Sequence, residues 1–278
     1  VQLASGQFGW NIQSEVGNAQ TRWTGAFNTS NVKVLKAGKP IDWQFPLEVN
    51  FAATDGAEIT LETLTARSDF FSLAGNGTLR QGTLQAKADL ERLTYQLSQV
   101  IDTNNIYVRG DLQSYIQWSE TRPNELKLDA RNKLVEFVMT QNEQVVCEEQ
   151  ELTTMLVVNA SLDGQTVSAV NDARLDVVSK GDYLVAEVRE AVAKPDANSA
   201  WPLVVAVNGE LQTWLARLKP FGLVDGWDVS GTINSNAQLT ASASKLALHG
   251  LTADVRELRA VTDGISIIEP VVQLKTAG

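Results

Sequence analysis

The chain repeats itself at a fixed spacing of 121 residues. Asp89-Leu90-Glu91 is answered by Glu210-Leu211-Gln212, and Leu97 by Leu218. Tyr107-Val108-Arg109-Gly110 is answered by Asp228-Val229-Ser230-Gly231, Leu112 by Ile233 and Ser114 by Ser235. The spacing holds through a strand-like, a helix-like and a second strand-like stretch without a gap. One supersecondary unit is therefore used again, and such units stack and share a continuous hydrophobic surface.

Period-two alternation dominates the pattern. Leu47, Val49 and Phe51 alternate with Glu48 and Asn50, and Leu84, Ala86 and Ala88 behave likewise. The same holds for Ile106 to Leu112, for Leu126, Leu128 and Ala130, for Leu203, Val205 and Val207, and for Ile233 to Ala241. Alternation sends successive side chains to opposite faces, so these strands have one apolar and one polar side. Asp55-Gly56, Asn76-Gly77, Asp163-Gly164 and Asp263-Gly264 supply turns between them. The expectation is antiparallel meanders.

Two stretches depart from this period. Leu90, Leu93, Leu97, Val100 and Ile101 recur at three- and four-residue spacing, which predicts an amphipathic helix with Asp89 as its N-cap. Leu211, Trp214, Leu215 and Leu218 repeat the spacing, and Pro220 with Gly222 would stop that helix. Trp214 is expected to touch the sheet. Each apolar stripe must be buried, across a sheet face or over a sheet end.

A second, looser self-similarity links the remaining parts. Trp43 to Val49, Asp55-Gly56, Ile59, Leu61, Leu64 and Ser68 to Leu73 run parallel to Cys147 to Leu152, Asp163-Gly164, Val167, Leu175 and Lys180 to Val185. Ile268-Glu269-Pro270-Val271-Val272 begins a third instance. The expected organisation is one elongated body of about two and a half units: 1–42 partial, 43–147, 148–267 and 268–278 partial. Pro195 to Pro202 is expected to be a loop.

Composition excludes several function classes. With 23 basic and 33 acidic residues the net charge is −10, opposite to a nucleic-acid surface or a patch for anionic lipid headgroups. A single cysteine, Cys147, forbids an internal disulfide and is expected to be a small buried apolar residue. One His and one Cys leave no His/Cys metal site, and EF-hand spacing is missing. No cofactor or metal is expected. The acids Glu148, Glu149 and Glu151, or Asp172 and Asp176, have no spacing that would make them a catalytic pair. His249 has neither a GxSxG serine nor a cysteine to act on, so no catalytic residue is nominated. Seven tryptophans are spread along the chain, which favours packing over a sugar-binding platform.

No apolar run approaches the roughly 20 residues needed to cross a bilayer. The chain starts at Val1 without a signal-peptide pattern and ends just after the strand-like Val271 to Leu274. This is the pattern of a piece excised from something longer, with targeting and anchoring parts elsewhere.

The unit Ala88-Asp89-Leu90-Glu91-x-Leu93-x3-Leu97, followed by Val108-x-Gly110-x-Leu112, resembles the repeats of AsmA-like envelope proteins, the superfamily of TamB-like and YhdP-like proteins. Its second instance is Gly209-Glu210-Leu211-Gln212-x-Trp214-Leu215-x2-Leu218, then Val229-x-Gly231-x-Ile233. Ile59, Leu61, Ser68 to Leu73 and Gly75-Asn76-Gly77-Thr78-Leu79 are similar to the strand-turn-strand-Gly cadence of the same family. The resemblance covers most of the chain from about Trp43.

The resemblance implies a long, curved antiparallel sheet with an apolar inner face, an open β-groove that takes phospholipid acyl chains across the envelope. It also implies a periplasmic location, an inner-membrane anchor in the full-length protein, contacts with other envelope proteins, and a part in outer-membrane biogenesis. The chain departs from the family in lacking an N-terminal transmembrane segment and in carrying a helix in each full repeat, which would plug or flank the groove.

The physical logic also stands apart from the family. A lipid tail offers nothing to hydrogen-bond, so a carrier needs contiguous apolar area, worth about 0.8 kcal/mol per buried CH₂. Candidate groove-lining residues are the repeated strand positions Leu84, Ala86, Val108, Leu112, Val205, Val207, Val229 and Ile233, each equally a core position. Alternation alone does not say which face is inward. A carbohydrate-binding or adhesion β-protein and a ligand-free envelope scaffold are the rival expectations.

Overall fold

The computed structural model describes residues 2–36, 39–43, 46–196, 198–218, 226–262 and 264–277. Among the described residues the protein is mainly antiparallel β with two helices. Packing of the backbone divides it into two compact units, 1–119 with 132–145 and 120–131 with 146–278.

In the first unit β1 (Gln2–Val16) pairs with β2 (Thr21–Lys36). The short β3 (Lys39–Trp43) and β4 (Glu48–Asp55) lie along two stretches of β2. β5 (Ile59–Arg67), β6 (Phe71–Gly77) and β7 (Gln81–Asp89) follow as a meander. After α1 (Leu90–Val100), β8 (Ile106–Arg122) returns to pair with β7. β9 (Glu125–Gln141) and β10 (Gln144–Asp163) come next in the chain.

In the second unit β10 pairs with β11 (Thr166–Ser179), and β11 with β12 (Asp182–Val188) and with the two-residue β13 (Val192–Ala193). β12 pairs with β14 (Trp201–Glu210). Beyond α2 (Leu211–Leu218), β15 (Asp228–Ala241), β16 (Leu246–Thr262) and β17 (Ile265–Ala277) complete the meander.

The 121-residue spacing is carried by the backbone. Ala88 faces Leu112 as Gly209 faces Ile233, and Gln81 faces Ser119 as Pro202 faces Thr240, so both strand–helix–strand units share one register. Asp89 caps α1 by accepting from Arg92 N at 3.0 Å, a contact worth about 1 kcal/mol. Gly110 and Gly231 have φ of +125° and +126°, and Glu136 and Glu257 have φ of 51° and 53°. A β-carbon on Gly110 would meet Val135 O at 2.8 Å, and one on Gly231 would meet Arg256 O at 2.7 Å. Each pair marks the same bulge, with the glycine set by close backbone approach.

A third copy of this hairpin opens the chain and is faint in the sequence. Ser5-Gly6-x-Phe8-x3-Ile12-Gln13 on β1 follows Arg109-Gly110-x-Leu112-x3-Ile116-Gln117 on β8. The β1–β2 register slips beside Gly6, and Asn31 on β2 has φ of 50°. β1 is thus the counterpart of β8 and β15.

Some local expectations need correction. Asn76-Gly77 ends β6 rather than forming the turn, which falls on 78–80 where Thr78 Oγ1 accepts from Arg80 N at 3.0 Å. Pro202 lies inside β14, opposite Thr240, so the loop before it ends earlier than expected. Gln44, Phe45, Pro220, Gly222 and Asp263 lie outside the described residues.

Candidate functional site

Register decides what alternation left open, namely which side chains share a face within each unit. In the first unit one row runs Trp10, Phe27, Val49, Ala66, Leu73, Ala86, Ser114 across consecutive strands. The adjacent row on the same face is Ile12, Gly25, Phe51, Leu64, Gly75, Leu84, Ile116. The opposite face carries Asn11, Ala26, Asn50, Thr65, Ala74, Gln85 and Tyr115. One face is almost wholly apolar and the other polar.

The second unit also has an apolar face, while its reverse mixes charged residues with Val157, Val185 and Val204. Leu156, Leu175, Ala186, Val205, Ala237 and Leu251 form one row, and Val177, Leu184, Val207, Ser235, Ala253 and Leu274 lie in the next on that face. The reverse side carries Arg174, whose guanidinium joins Asp176 and Glu187. Exposed ion pairs of this kind contribute little to stability, but they mark the side facing water.

Within each unit, among the described residues, the strands contact their ladder partners side by side rather than face to face. Among the described residues the buried apolar side chains are alanines and valines together with Phe70, and the only side chain below 2% exposure is Gln96. The chain exposes 17639 Å². Two compact bodies of half its 30.3 kDa would together expose about 14,200 Å². The excess is what single-layer sheets leave uncovered. Exposed large apolar residues occur in both units, among them Trp10 at 79% and Val16 at 81% in the first and Ile268 at 71% and Leu246 at 70% in the second.

The expected lining residues distribute as follows. Leu84, Ala86 and Leu112 lie on the apolar face of the first unit, and Val205, Val207 and Ile233 on that of the second. Val108 and Val229 lie beyond the Gly110 and Gly231 bulges, with Val229 opposite Ala260. All eight are half-buried. Trp118 and Phe51 spread their rings over Gly82 and Gly25, filling gaps on the first unit's face.

Each helix crosses the strand ends of its own unit. α1 leaves β7 and makes contact with β2. α2 leaves β14 and reaches β12 and β10 through Arg217, which pairs with Glu149 at 2.5 Å and with Asp182 at 3.1 Å. Ser179 donates to Glu149, Asp182 accepts from Glu210 N at 2.9 Å, and Trp214 Nε1 donates to Asn208 O at 3.2 Å. The Trp214 ring lies under the Arg217 guanidinium, 4.4 Å from its carbon, a favourable cation–π distance. Gly209 leaves the space that the Asp182 carboxylate occupies.

Sequence reasoning missed this cluster because it treated Glu149 as one acid among many. The available signal was a polar residue inside an apolar helical stripe, Arg217 three places after Trp214. Cys147 is half-buried rather than buried, and burial with the nearby Glu149 pushes its thiol up, partly offset by Arg217. His249 is exposed and bonds Thr240 Oγ1 at 2.8 Å.

Among the described residues no cluster of His, Cys, Asp and Glu could hold a metal ion, and no helix is long and apolar enough to cross a membrane. No protein-family model, curated protein or solved structure matches the chain.

Proposed function

We propose that this chain is a segment of an AsmA-like envelope protein whose apolar sheet faces bind phospholipid acyl chains and let them move along an open β-groove. The observation that carries the proposal is an apolar face in each unit with half-exposed side chains, on which, among the described residues of that unit, no second sheet packs. Such a face suits a flexible hydrocarbon, which gains about 0.8 kcal/mol for each CH₂ removed from water and needs no polar partner. The groove would curve around these faces, with α1 and α2 flanking its strand ends. A periplasmic setting, an anchor in the inner membrane and partners in the envelope belong to the same proposal.

The test is native mass spectrometry of the purified chain for co-purified phospholipid, followed by Leu112→Asp and Ile233→Asp. Each substitution places a charge on an apolar face, next to the strand end that leads into the helix, and retention of lipid should be lost in the pair. Unchanged lipid in both variants, or no lipid in the parent chain, overturns the proposal. Exposed Trp10 favours one alternative, a glycan stacking on the β1 edge. Binding on a glycan array with no lipid retained would select it.

A further inference from the structure

We propose that the outer edge of β1 is a docking edge for an antiparallel strand of the β7/β14 type, followed by a helix of the α1/α2 type. This stands apart from any ligand of the apolar faces. β1 is the third copy of a strand whose other two copies, β8 and β15, are each paired on that side, by β7 and β14. Both pairings use the same register, so the fold itself specifies what β1 would accept. Within the first unit the described ladder of β1 is with β2.

The composition of β1 supports the same conclusion. Edge strands are ordinarily blunted by lysine, proline or short length. β1 is 15 residues long, contains no proline or lysine, and carries a single charge at Glu15. β17, which ends the ladder of the second unit, carries Glu269, Pro270 and Lys275. One of these edges is protected against pairing and the other is not. Phe8, Trp10 and Ile12 on β1 are 48%, 79% and 54% exposed, whereas their counterparts Leu112, Ser114 and Ile116 on β8 are half-buried beside β7.

The register follows from the shared glycine. With Gly6 placed on Gly110, a β7-type strand would set its Leu84 position opposite Ile12, its Ala86 position opposite Trp10 and its Ala88 position opposite Phe8. Small residues would then face the two large aromatic side chains. A second copy of the whole chain is the weaker occupant, because pairing β1 with β1 repeats no ladder found in this fold.

The experiment is a gain of structure. A second copy of residues 81–105 is fused directly ahead of Gln2, reproducing the strand–helix–strand connection with β1 as its second strand. Amide hydrogen exchange along Gly6 to Val16 should slow by at least about tenfold at the amides that do not bond β2. Quenching of Trp10 by acrylamide should fall, and the same graft with its Leu84 and Ala86 positions changed to Asp should restore both. Unchanged exchange in the first graft overturns the proposal. So does concentration-dependent protection of the same amides in the unmodified chain with a dimer in sedimentation, which would assign the edge to a second copy.

Discussion

Arg217 on α2 closes on Glu149 of β10, 68 residues earlier in the chain, with both side chains largely out of water, at 13% and 5% exposure. The matching position in α1, 121 residues before, is Gln96, which is 1% exposed. The two helices thus occupy equivalent places but are tied down differently. In the second unit two carboxylates hold one guanidinium, and in the first a neutral amide is buried. The backbone shows the same exchange: Glu210 N donates to the Asp182 carboxylate, whereas Asp89 N donates to Phe70 O. Burying a charge is costly unless it is paired, so the charged version requires all of its members at once.

Arg217→Met should therefore destabilise the protein by about 3–5 kcal/mol, because Glu149 and Asp182 would remain buried without their cation. The triple change Arg217→Met, Glu149→Gln, Asp182→Asn should recover much of that loss. Urea unfolding followed by far-ultraviolet circular dichroism measures both. Equal stability of the single and triple variants would mean that Arg217 acts through packing on Trp214 alone.

The sequence pattern made the repeated parts legible to different depths. The strand–helix–strand unit was visible because leucines, a cap and a glycine return at one spacing, and local rules suffice for all three. The first hairpin was hidden because its copy is offset differently and retains little beyond Gly6, Phe8, Ile12 and Gln13. Faces were legible only as pairs of alternatives. Alternation says that Leu84 and Ala86 lie together, but inter-strand register places Leu84 beside Ile116 and Ala86 beside Leu73. The Glu149, Asp182 and Arg217 cluster depends on contacts between distant strands, which no local period encodes.

The glycine bulges predict a graded series. Gly110→Ala and Gly231→Ala force a side chain onto a positive φ and against a carbonyl oxygen, and each should cost about 1–3 kcal/mol. At Gly6 a β-carbon would meet the movable ring of Phe8 at 3.1 Å and Val32 Cα at 3.3 Å, with no positive φ. Gly6→Ala should cost less than either. Thermal unfolding of the three variants gives the order directly, and equal costs would remove the distinction.

On the polar face of the first unit, Arg22 grips Glu62 through two nitrogens while Thr54 donates to the same carboxylate. The Arg22 bond, and then the Thr54 bond, hold the Glu62 carboxyl below its ordinary value. A carboxylate depressed on folding adds stability above the unfolded pKa and loses it as pH falls through the folded one. Acid unfolding of Glu62→Gln should lack the part of the pH dependence lying below the ordinary glutamate range. Arg22 is exposed and Glu62 half-exposed, so the difference should be small and should shrink further in high salt. A variant whose acid profile matches the parent at low salt would show that Arg22 does not sense the carboxylate.

If acyl chains lie on the apolar faces, tryptophans there should report it. Trp10 and Trp23 share the first unit's apolar face and are 79% and 42% exposed, while Trp214 is held under Arg217 with its indole N–H bonded to Asn208 O. A bromine-labelled fatty acid quenches only indoles that it can approach closely. Titration with it should quench part of the fluorescence, and Trp10→Phe with Trp23→Phe should reduce the quenchable part, leaving that of Trp118 and Trp201. The emission of Trp214 should survive saturation. Quenching that persists undiminished in the double variant would place the acyl chain elsewhere, and no quenching in the parent would count against the groove.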